Sequence, residues 1–415
     1  MNKTLGYTST VDLYTTRNNY PKEWIQYFSS RFITNDRILD LIELSYLVII
    51  ADEIFPKKSI RAYQRRITIK TPVRDPEFWL SKKHELESMV NFLSSDNIDF
   101  EFVQYEQLDK LPLTTTERSV YYKNRVTLFS GGMDSYIGCL DECTNHPDDV
   151  AIYSFSQTLG FDIKKLQDDL SITIPNFPVG HWERDTSQNL PLPDKPRNTE
   201  MRKITRMLRY ITNAYALAYG VSANDLIIYE NGVIGHGISY SLDRLGAGIT
   251  KSTHPKFLAD FMTLANAASG RQITLSTPYH ELTKAQIINK SLTELGSTQE
   301  NLFKTISCSN LRFYKRNGKQ CGKCVPCIIR RIAERTAFRD YDVKESLYEH
   351  NPQAEPGNEE FNKNVADLKQ LSESVTSGAL TAFKSPDLSY LDIDIQLRFK
   401  DVISEFHNEI NGAFP

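Results

Sequence analysis

No stretch of this 415-residue chain is long and apolar enough to suggest a membrane span. The most apolar segment, 41–51, is short and carries Glu43. The first residues, Met1-Asn2-Lys3-Thr4-Leu5-Gly6, lack the apolar core of an export signal, so a cytoplasmic protein is expected. An excess of positive charge is missing too. With 49 Lys and Arg against 52 Asp and Glu, the formal net charge is -3, which indicates neither bulk nucleic-acid affinity nor a membrane surface. Cysteine is scarce, at six residues, and four of them (Cys308, Cys321, Cys324, Cys327) crowd together while Cys139 and Cys143 lie apart. A secreted protein built on disulfides spreads its cysteines, so this distribution fits a reducing compartment. There is no internal repeat and no low-complexity tract. What remains is a soluble globular composition, 40% hydrophobic and 24% charged, with length for two or three domains.

Three regions follow along the chain. Residues 1–122 read as an N-terminal α+β domain. Segment 38–51 is a helix or buried strand, 66–73 alternates like a half-buried strand, 79–93 has helical spacing, and 100–103 is a second alternating strand. Lys57, Lys58, Arg61, Arg65, Arg66, Lys70 and Arg74 make this region locally basic. That is either the solvated face of a strand or a surface for nucleic acid or an acidic partner. Residues 123–340 alternate strand and helix: 126–129, 150–153, 177–179 and 226–229 are strand candidates, and 161–170 and 200–220 helices. That alternation predicts an α/β, parallel, doubly wound sheet, with ligands beyond the carboxyl ends of its strands. Residues 341–415 read as a helical tail. A polar linker at 350–360 leads to amphipathic segments 361–375 and 393–410, which pack on the core or on a second subunit of a homodimer.

The chain is organised around Ser130-Gly131-Gly132-Met133-Asp134-Ser135, entered from the apolar run Val126-Thr127-Leu128-Phe129 and left by a helix-compatible run. A strand turning through two glycines into a helix presents backbone N–H groups and the positive end of a helix dipole, a setting that favours phosphate. Ser130 and Ser135 add hydroxyl donors. The stretch lacks the Gly-Lys-Ser/Thr ending of a Walker A loop and the third glycine of the dinucleotide fingerprint. The second motif is Cys308-x12-Cys321-Gly322-Lys323-Cys324-Val325-Pro326-Cys327. Four thiolates at this spacing can close a tetrahedral zinc shell with no position left for water, hence a structural site; an iron–sulfur cluster is the alternative.

SGGMDS resembles the pyrophosphate loop of the ATP-pyrophosphatase (PP-loop) superfamily, whose members use ATP to adenylate an oxygen. With the cysteine knot behind it, the chain resembles the QueC family of 7-cyano-7-deazaguanine synthases over about 125–335. Gln157 matches the glutamine after that family's second strand, while Phe155 and Ser156 do not match the residues before it. Arg206 opens a run similar to the family's Arg-Asn-x-x-x-Leu-x-x-Ala, with Met207 departing from the Asn. Thr277-Pro278 and Thr283-Lys284-Ala285 look like its Thr-Pro and Lys-Ala segment. The added N-terminal region and tail, with Tyr229-Glu230-Asn231-Gly232, Asp243-Arg244 and Ser252-Thr253-His254-Pro255, are similar to enlarged QueC-like proteins of bacterial anti-phage systems. These include the QatC type and the type found in some cyclic-oligonucleotide (CBASS) operons.

The resemblance implies an adenylating ligase that activates a 7-deazaguanine carboxylate for attack by ammonia or a protein amine, with ATP, Mg²⁺ and Zn²⁺ as cofactors. A protein partner from a defence operon would follow. The cofactor-binding residues would be Ser130, Gly131, Gly132, Met133, Asp134, Ser135 and Gln157. Asp134 holds the metal or the loop itself, or simply complements the helix dipole. Lys284 contacts phosphate or adenylate, or is a solvated helix-start lysine. Arg206 and Arg209 are placed to receive carboxylate or phosphate, though Arg209 also fits a salt-bridged helix face. Gln157, Glu230 and Asn231 are placed to read the edge of a purine-like ring, or Glu-Asn-Gly is a common turn. His254 is a proton shuttle or a plain loop histidine. Rival readings are a housekeeping queuosine-precursor synthase, a tRNA-modifying enzyme of the PP-loop class, and an ATP-binding scaffold.

Overall fold

The computed structural model describes residues 8–12, 35–54, 65–105, 122–155, 161–178, 182–184, 204–239, 251–310, 314, 318–338, 345–352, 354–379 and 388–414. Its strands are β1 (Thr8–Asp12), β2 (Arg66–Val73), β3 (Asn97–Gln104), β4 (Arg125–Phe129), β5 (Val150–Phe155), β6 (Trp182–Arg184), β7 (Asp225–Ile227) and β8 (Thr274–Ser276). Its α-helices are α1 (Asp36–Ile54), α2 (Pro76–Ser81), α3 (Lys83–Ser94), α4 (Met133–Asn145), α5 (Phe161–Ser171), α6 (Arg206–Gly220) and α7 (Gly232–Gly235). The remainder are α8 (Pro255–Ser269), α9 (Lys284–Thr293), α10 (Gln299–Lys304), α11 (Val325–Ala337), α12 (Glu359–Thr376) and α13 (Ile393–Ala413). The chain forms two compact units: Met1–Asn124, Asn189–Leu226 and Gly246–Leu275 in the first, and Arg125–Gln188, Ile227–Leu245 and Ser276–Pro415 in the second.

The first unit contains a three-stranded sheet of order β1-β2-β3, parallel throughout, with Thr8 opposite Arg66 and Arg66 opposite Asn97. Parallel neighbours need crossovers, and α1 supplies the first while α2 and α3 supply the second. The apolar segment near residue 40 resolves as a helix of nineteen residues, longer than a strand can usefully be. Burying α1 also buries its acids. Asp40 and Glu43 hold the Arg74 guanidinium at 2.6 and 2.7 Å, and Asp52 and Asp96 hold Arg65 at 2.6 and 2.5 Å. Burial drives the Asp40 carboxyl up to about 6 against the pull of Arg74. Arg65 and Arg74 are thus internal ion-pair partners, which corrects the reading of a continuous basic face through 57–74. Arg66 stays exposed, and Lys57, Lys58 and Arg61 lie outside the described residues.

The five-stranded sheet has order β6-β5-β4-β7-β8, with β4, β5 and β6 parallel to one another. The second unit holds β4 to β6 and the last residues of β7 and β8, Ile227 and Ser276. From β4 the chain winds outward to β6, then returns to the other side of β4. The reversal therefore falls at β4, and the carboxyl end there is where open α/β sheets place ligands. Of the strand expected at 177–179, Phe177 and Pro178 lie outside the strands and residue 179 lies outside the described residues. The short strand beside β5 is β6, three residues pairing with Tyr153, Ser154 and Phe155. Phe177 sets its ring edge-on against Phe129, 6.0 Å between centroids.

Two large apolar clusters of the described residues lie in the second unit, beside a smaller one around the clustered cysteines. One joins Phe129, Tyr136, Ile137 and Leu140 to Ile287, Ile288 and Leu302. The other is built by the C-terminal helices: Phe361, Leu368 and Leu371 of α12 and Phe399, Val402, Phe406 and Ile410 of α13 close on Ile328 and Ile332 of α11 and Val233 of α7. The tail packs on the core of this unit.

Candidate functional site

The loop at 130–135 leaves the fully buried end of β4 at Phe129. Gly131 stands at φ +81, a conformation that side-chain-bearing residues avoid, and its carbonyl accepts the amide of Ile306 at 3.1 Å. The two serines knit the turn. Ser135 Oγ accepts the Ser130 amide at 3.2 Å, donates to the Gly132 carbonyl at 3.0 Å and lies 2.9 Å from Ser130 Oγ, which accepts the Gly132 amide at 3.2 Å. Gly132 is the N-cap of α4, and among the described residues no side chain caps that helix. Its first-turn amides (Met133, Asp134, Ser135) therefore await an acceptor that no capping side chain provides, at the positive end of the dipole. Met133 buries its side chain in the core, so only its backbone serves the loop.

Asp134 is tied inward. One carboxylate oxygen forms an ion pair with Lys284, the first residue of α9. The other accepts from Asn231 Nδ2 at 2.8 Å and the Asn231 amide at 3.3 Å. Burial opposes a charge on Asp134, but the Lys284 ammonium and hydrogen bonds from Glu230 and Asn231 hold its carboxyl below the usual range. Glu230 goes the other way: burial and then the Asp134 charge push it well above the ordinary value, which favours the neutral form that donates to Asp134. At the centre of the group is the Lys284–Asp134 ion pair. Asn231 Oδ1 is buried and has no hydrogen-bond partner among the described residues, an acceptor next to the loop.

A polar layer that the motifs did not announce lies one helical stretch further along α4. Glu142 accepts Tyr229 Oη at 2.6 Å and both Nε and Nη2 of Arg125 at 2.6 and 2.9 Å. Asp141 accepts Tyr279 Oη at 3.0 Å and pairs with Lys290. Gly138 makes this approach possible, because a Cβ there would sit 2.1 Å from the Tyr229 ring. The only sequence signal for it is spacing: Asp134, Gly138 and Asp141 recur at helical intervals on one face.

The second unit therefore brings together Ser130, Gly131, Gly132, Met133, Asp134, Ser135, Glu230, Asn231 and Lys284. Gln157 lies outside the described residues. Arg206, Arg209 and His254 belong to the first unit. Arg209 is buried with its guanidinium over the Tyr46 and Tyr210 rings at 5.3 and 5.1 Å, and burial lowers the Arg206 pKa. His254 is fully buried rather than placed in an open loop; its Nδ1 accepts the Lys256 amide at 3.1 Å, capping α8, and its ring meets Phe92 edge-on at 4.9 Å.

The thiols of Cys308, Cys321, Cys324 and Cys327 all lie within 4.8 Å of one another, with Cys321 and Cys327 Sγ 4.0 Å apart. Zinc–sulfur bonds of about 2.3 Å in a tetrahedron separate the sulfurs by about 3.8 Å, so the donor set fits a closed zinc site. Amides of Asn310 and Cys321 donate to Cys308 Sγ, and that of Cys324 to Cys321 Sγ, each at 3.4 Å, which favours thiolates. Cys324 is also the N-cap of α11. Around the knot, Gln320 Oε1 accepts the Ser307 and Cys308 amides at 2.8 and 3.1 Å, and Arg331 binds the Gly322 and His350 carbonyls at 3.1 and 2.5 Å. Ile306, bonded to Gly131, stands two residues before Cys308, so the knot continues into the wall of the loop at 130–135. For Mg²⁺ the donor set fits less well, since one Asp134 oxygen is paired with Lys284 and the other accepts from Asn231. Cys139 and Cys143 are apart and buried, and burial with the Glu142 charge drives Cys143 to about 12, leaving it a poor nucleophile.

Among the described residues no helix is long and apolar enough to cross a membrane. The family profile described as "Queuosine biosynthesis protein QueC" matches residues 252–339, a stretch holding Lys284 and all four clustered cysteines. A 7-cyano-7-deazaguanine synthase of Rickettsia rickettsii (strain Sheila Smith) is 30% identical over 170 residues, 39% of this chain and 66% of that protein. The protein of the same name from Rickettsia africae (strain ESF-5) gives the same figures. That of Rickettsia massiliae (strain Mtu5) is 38% identical over 98 residues, 22% of this chain and 38% of its own. The chain spans just under two thirds of the length of the first of these relatives, 66%. No solved structure matches it at a significant level. A QueC-like region, with the four-cysteine group inside it, is thus part of this chain.

Proposed function

We propose that the protein is an ATP-dependent adenylating ligase, resembling 7-cyano-7-deazaguanine synthase, that activates a 7-deazaguanine carboxylate for attack by an amine. The observation that carries this reading is the uncapped start of α4 at the reversal point of the sheet, bordered by the Lys284–Asp134–Asn231 group. In the first half-reaction a carboxylate oxygen bonds to the α-phosphorus of ATP, and the bond from that phosphorus to the bridging oxygen of pyrophosphate breaks. The charge that gathers on the leaving pyrophosphate meets the amides of Met133, Asp134 and Ser135 and the Ser130 and Ser135 hydroxyls. In the second, the amine nitrogen bonds to the acyl carbon, loses a proton, and AMP departs. Asn231 Oδ1 is an acceptor for a ring N–H donor on the base. Zinc, held by the four cysteines, would supply fold stability and take no part in the chemistry.

The attacking amine is ammonia or an amine on a protein, and the resemblance of 229–255 to enlarged defence proteins favours an anti-phage setting with a protein partner. The printed name of the Rickettsia relatives supports a second reading, a queuosine-precursor synthase that carries the base through to a nitrile. The test is incubation of zinc-loaded protein with MgATP, 7-carboxy-7-deazaguanine and ammonium, followed by nucleotide analysis and mass spectrometry of the base. AMP with pyrophosphate and an amide is the expected outcome, a free nitrile favours the second reading, and ADP refutes adenylation.

A further inference from the structure

We infer that Glu409, near the end of α13, is a positioning residue for Lys284, so that the C-terminal helix is part of the scaffold of the phosphate-loop site. The inference rests on the reading of that site given above. Lys284 opens α9, and the residue before it, Thr283, caps the helix in a full capping box. Thr283 Oγ1 accepts the Gln286 amide at 3.3 Å, and Gln286 Oε1 accepts the Thr283 amide at 2.9 Å. The Thr283 hydroxyl has one proton to give, and it goes to a carboxylate oxygen of Glu409. That bond turns the hydroxyl lone pairs toward the Gln286 amide and fixes the backbone from which the Lys284 side chain leaves for Asp134. Thr283 is fully buried, and the partner its hydroxyl proton meets there is the Glu409 carboxylate.

The same helix braces the opposite side of Asp134. A Cβ on Gly232 would lie 2.9 Å from Val402 Cγ1, which measures how tightly α13 seats on the residue after Asn231. The Phe399 ring packs 5.1 Å from the ring of His236, at the end of α7. Lys284 and Asn231, two of the side chains that grip Asp134, therefore stand on segments that α13 supports. Nothing else in the sequence of the tail suggests a link to the loop, since Glu409 and Thr283 are 126 positions apart.

The test compares Glu409→Ala with Glu409→Gln, which keeps an acceptor oxygen in place, and with Thr283→Val. Two readouts are needed. For AMP formation, Glu409→Ala should lower kcat about 10-fold with little change in KM for ATP, as a misplaced catalytic group does, while Glu409→Gln stays within about 2-fold. Thr283→Val also removes the acceptor of the Gln286 amide, so it should be impaired at least as much as Glu409→Ala. Adding Glu409→Ala to it should cost nothing further, since the bond to the carboxylate is already lost. Independently of turnover, amide hydrogen exchange at Gln286 should quicken in Glu409→Ala and return in Glu409→Gln. Unchanged exchange in Glu409→Ala overturns the inference, and so does a kcat that follows only the fraction of folded protein. If wild-type protein forms no AMP, the proposed function fails while the exchange measurement still decides whether Glu409 fixes the start of α9.

Discussion

Lys284→Met removes the ammonium from a buried ion pair whose side chains are only 5% and 7% exposed. Breaking such a pair from one side leaves an uncompensated charge and costs about 3–5 kcal/mol, more than the pair contributes when intact. The sign of the pH dependence should also reverse. In the wild type the Asp134 carboxyl titrates below its unfolded value of about 3.9, so it contributes stability above that pH, lost as pH falls through the folded pKa. Without Lys284, burial dominates and the folded pKa rises above the unfolded one. Stability is then greatest at low pH and is lost as pH rises through the raised value, so the variant should suffer less at pH 5.5 than at pH 8. Asp134→Asn in the same chain removes the stranded charge, and the double variant should recover to within about 1–2 kcal/mol of wild type, the cost of imperfect hydrogen bonding. Native-state hydrogen exchange of the α4 amides in urea reads this locally, which matters in a chain of two units. A loss below about 1 kcal/mol in Lys284→Met, or a double variant as unstable as the two single losses summed, would refute the buried-pair argument.

Zinc analysis should give about one ion per chain, and a chelator should expose four thiols to rapid modification while Cys139 and Cys143 react only on unfolding. Cys324→Ser should lower the yield of folded protein before it alters the kinetics of the survivors; a metal-free, soluble and active variant would remove the structural role. Gly138→Ala places a methyl group inside the Tyr229 ring, which is itself pinned to Glu142, so a loss of at least about 1–3 kcal/mol and a fall in AMP formation are expected. A fully stable Gly138→Ala protein would show that the 229–231 segment is not locked to α4.

The strand–turn–helix at 130–135 and the grouping of the four cysteines were legible because both are local. The six residues at 130–135 and the last three cysteines act through spacing that the chain itself fixes. The strand at 66–73 and the helices near 361 and 393 were legible through period. What escaped the sequence is whatever depends on distant partners. Asp134 and Lys284 are 150 positions apart, so nothing local distinguished a loop carboxylate free for metal from one buried against lysine. The basic stretch near Arg65 and Arg74 looked like surface because its counter-charges, Asp40, Glu43, Asp52 and Asp96, are supplied by other elements. His254 looked like a loop histidine because its ring nitrogen serves a backbone amide, a use that leaves no pattern in the sequence. The edge strand β6 was displaced because three residues are too few to carry a period.

The position of the C-terminal helices changes what a truncation can ask. From sequence, 361–415 is a candidate surface for a partner, and deleting it would seem a clean way to separate partner recognition from AMP formation. In the structure Phe361, Leu368, Phe399, Ile403, Phe406 and Ile410 are buried in one cluster with Ile328 and Ile332 of α11, the helix that follows the cysteine knot. Each such side chain contributes about 1.5–3 kcal/mol by leaving water. Several together equal the net stability of a typical domain, about 5–15 kcal/mol. Deletion of 361–415 should therefore give insoluble or zinc-poor protein, failing in every assay at once. Soluble expression, zinc content and a cooperative unfolding transition of the truncated chain measure this directly. A truncated protein that folds, keeps its zinc and still forms AMP would show that α12 and α13 are an added surface, and it would remove the support on which the role of Glu409 depends.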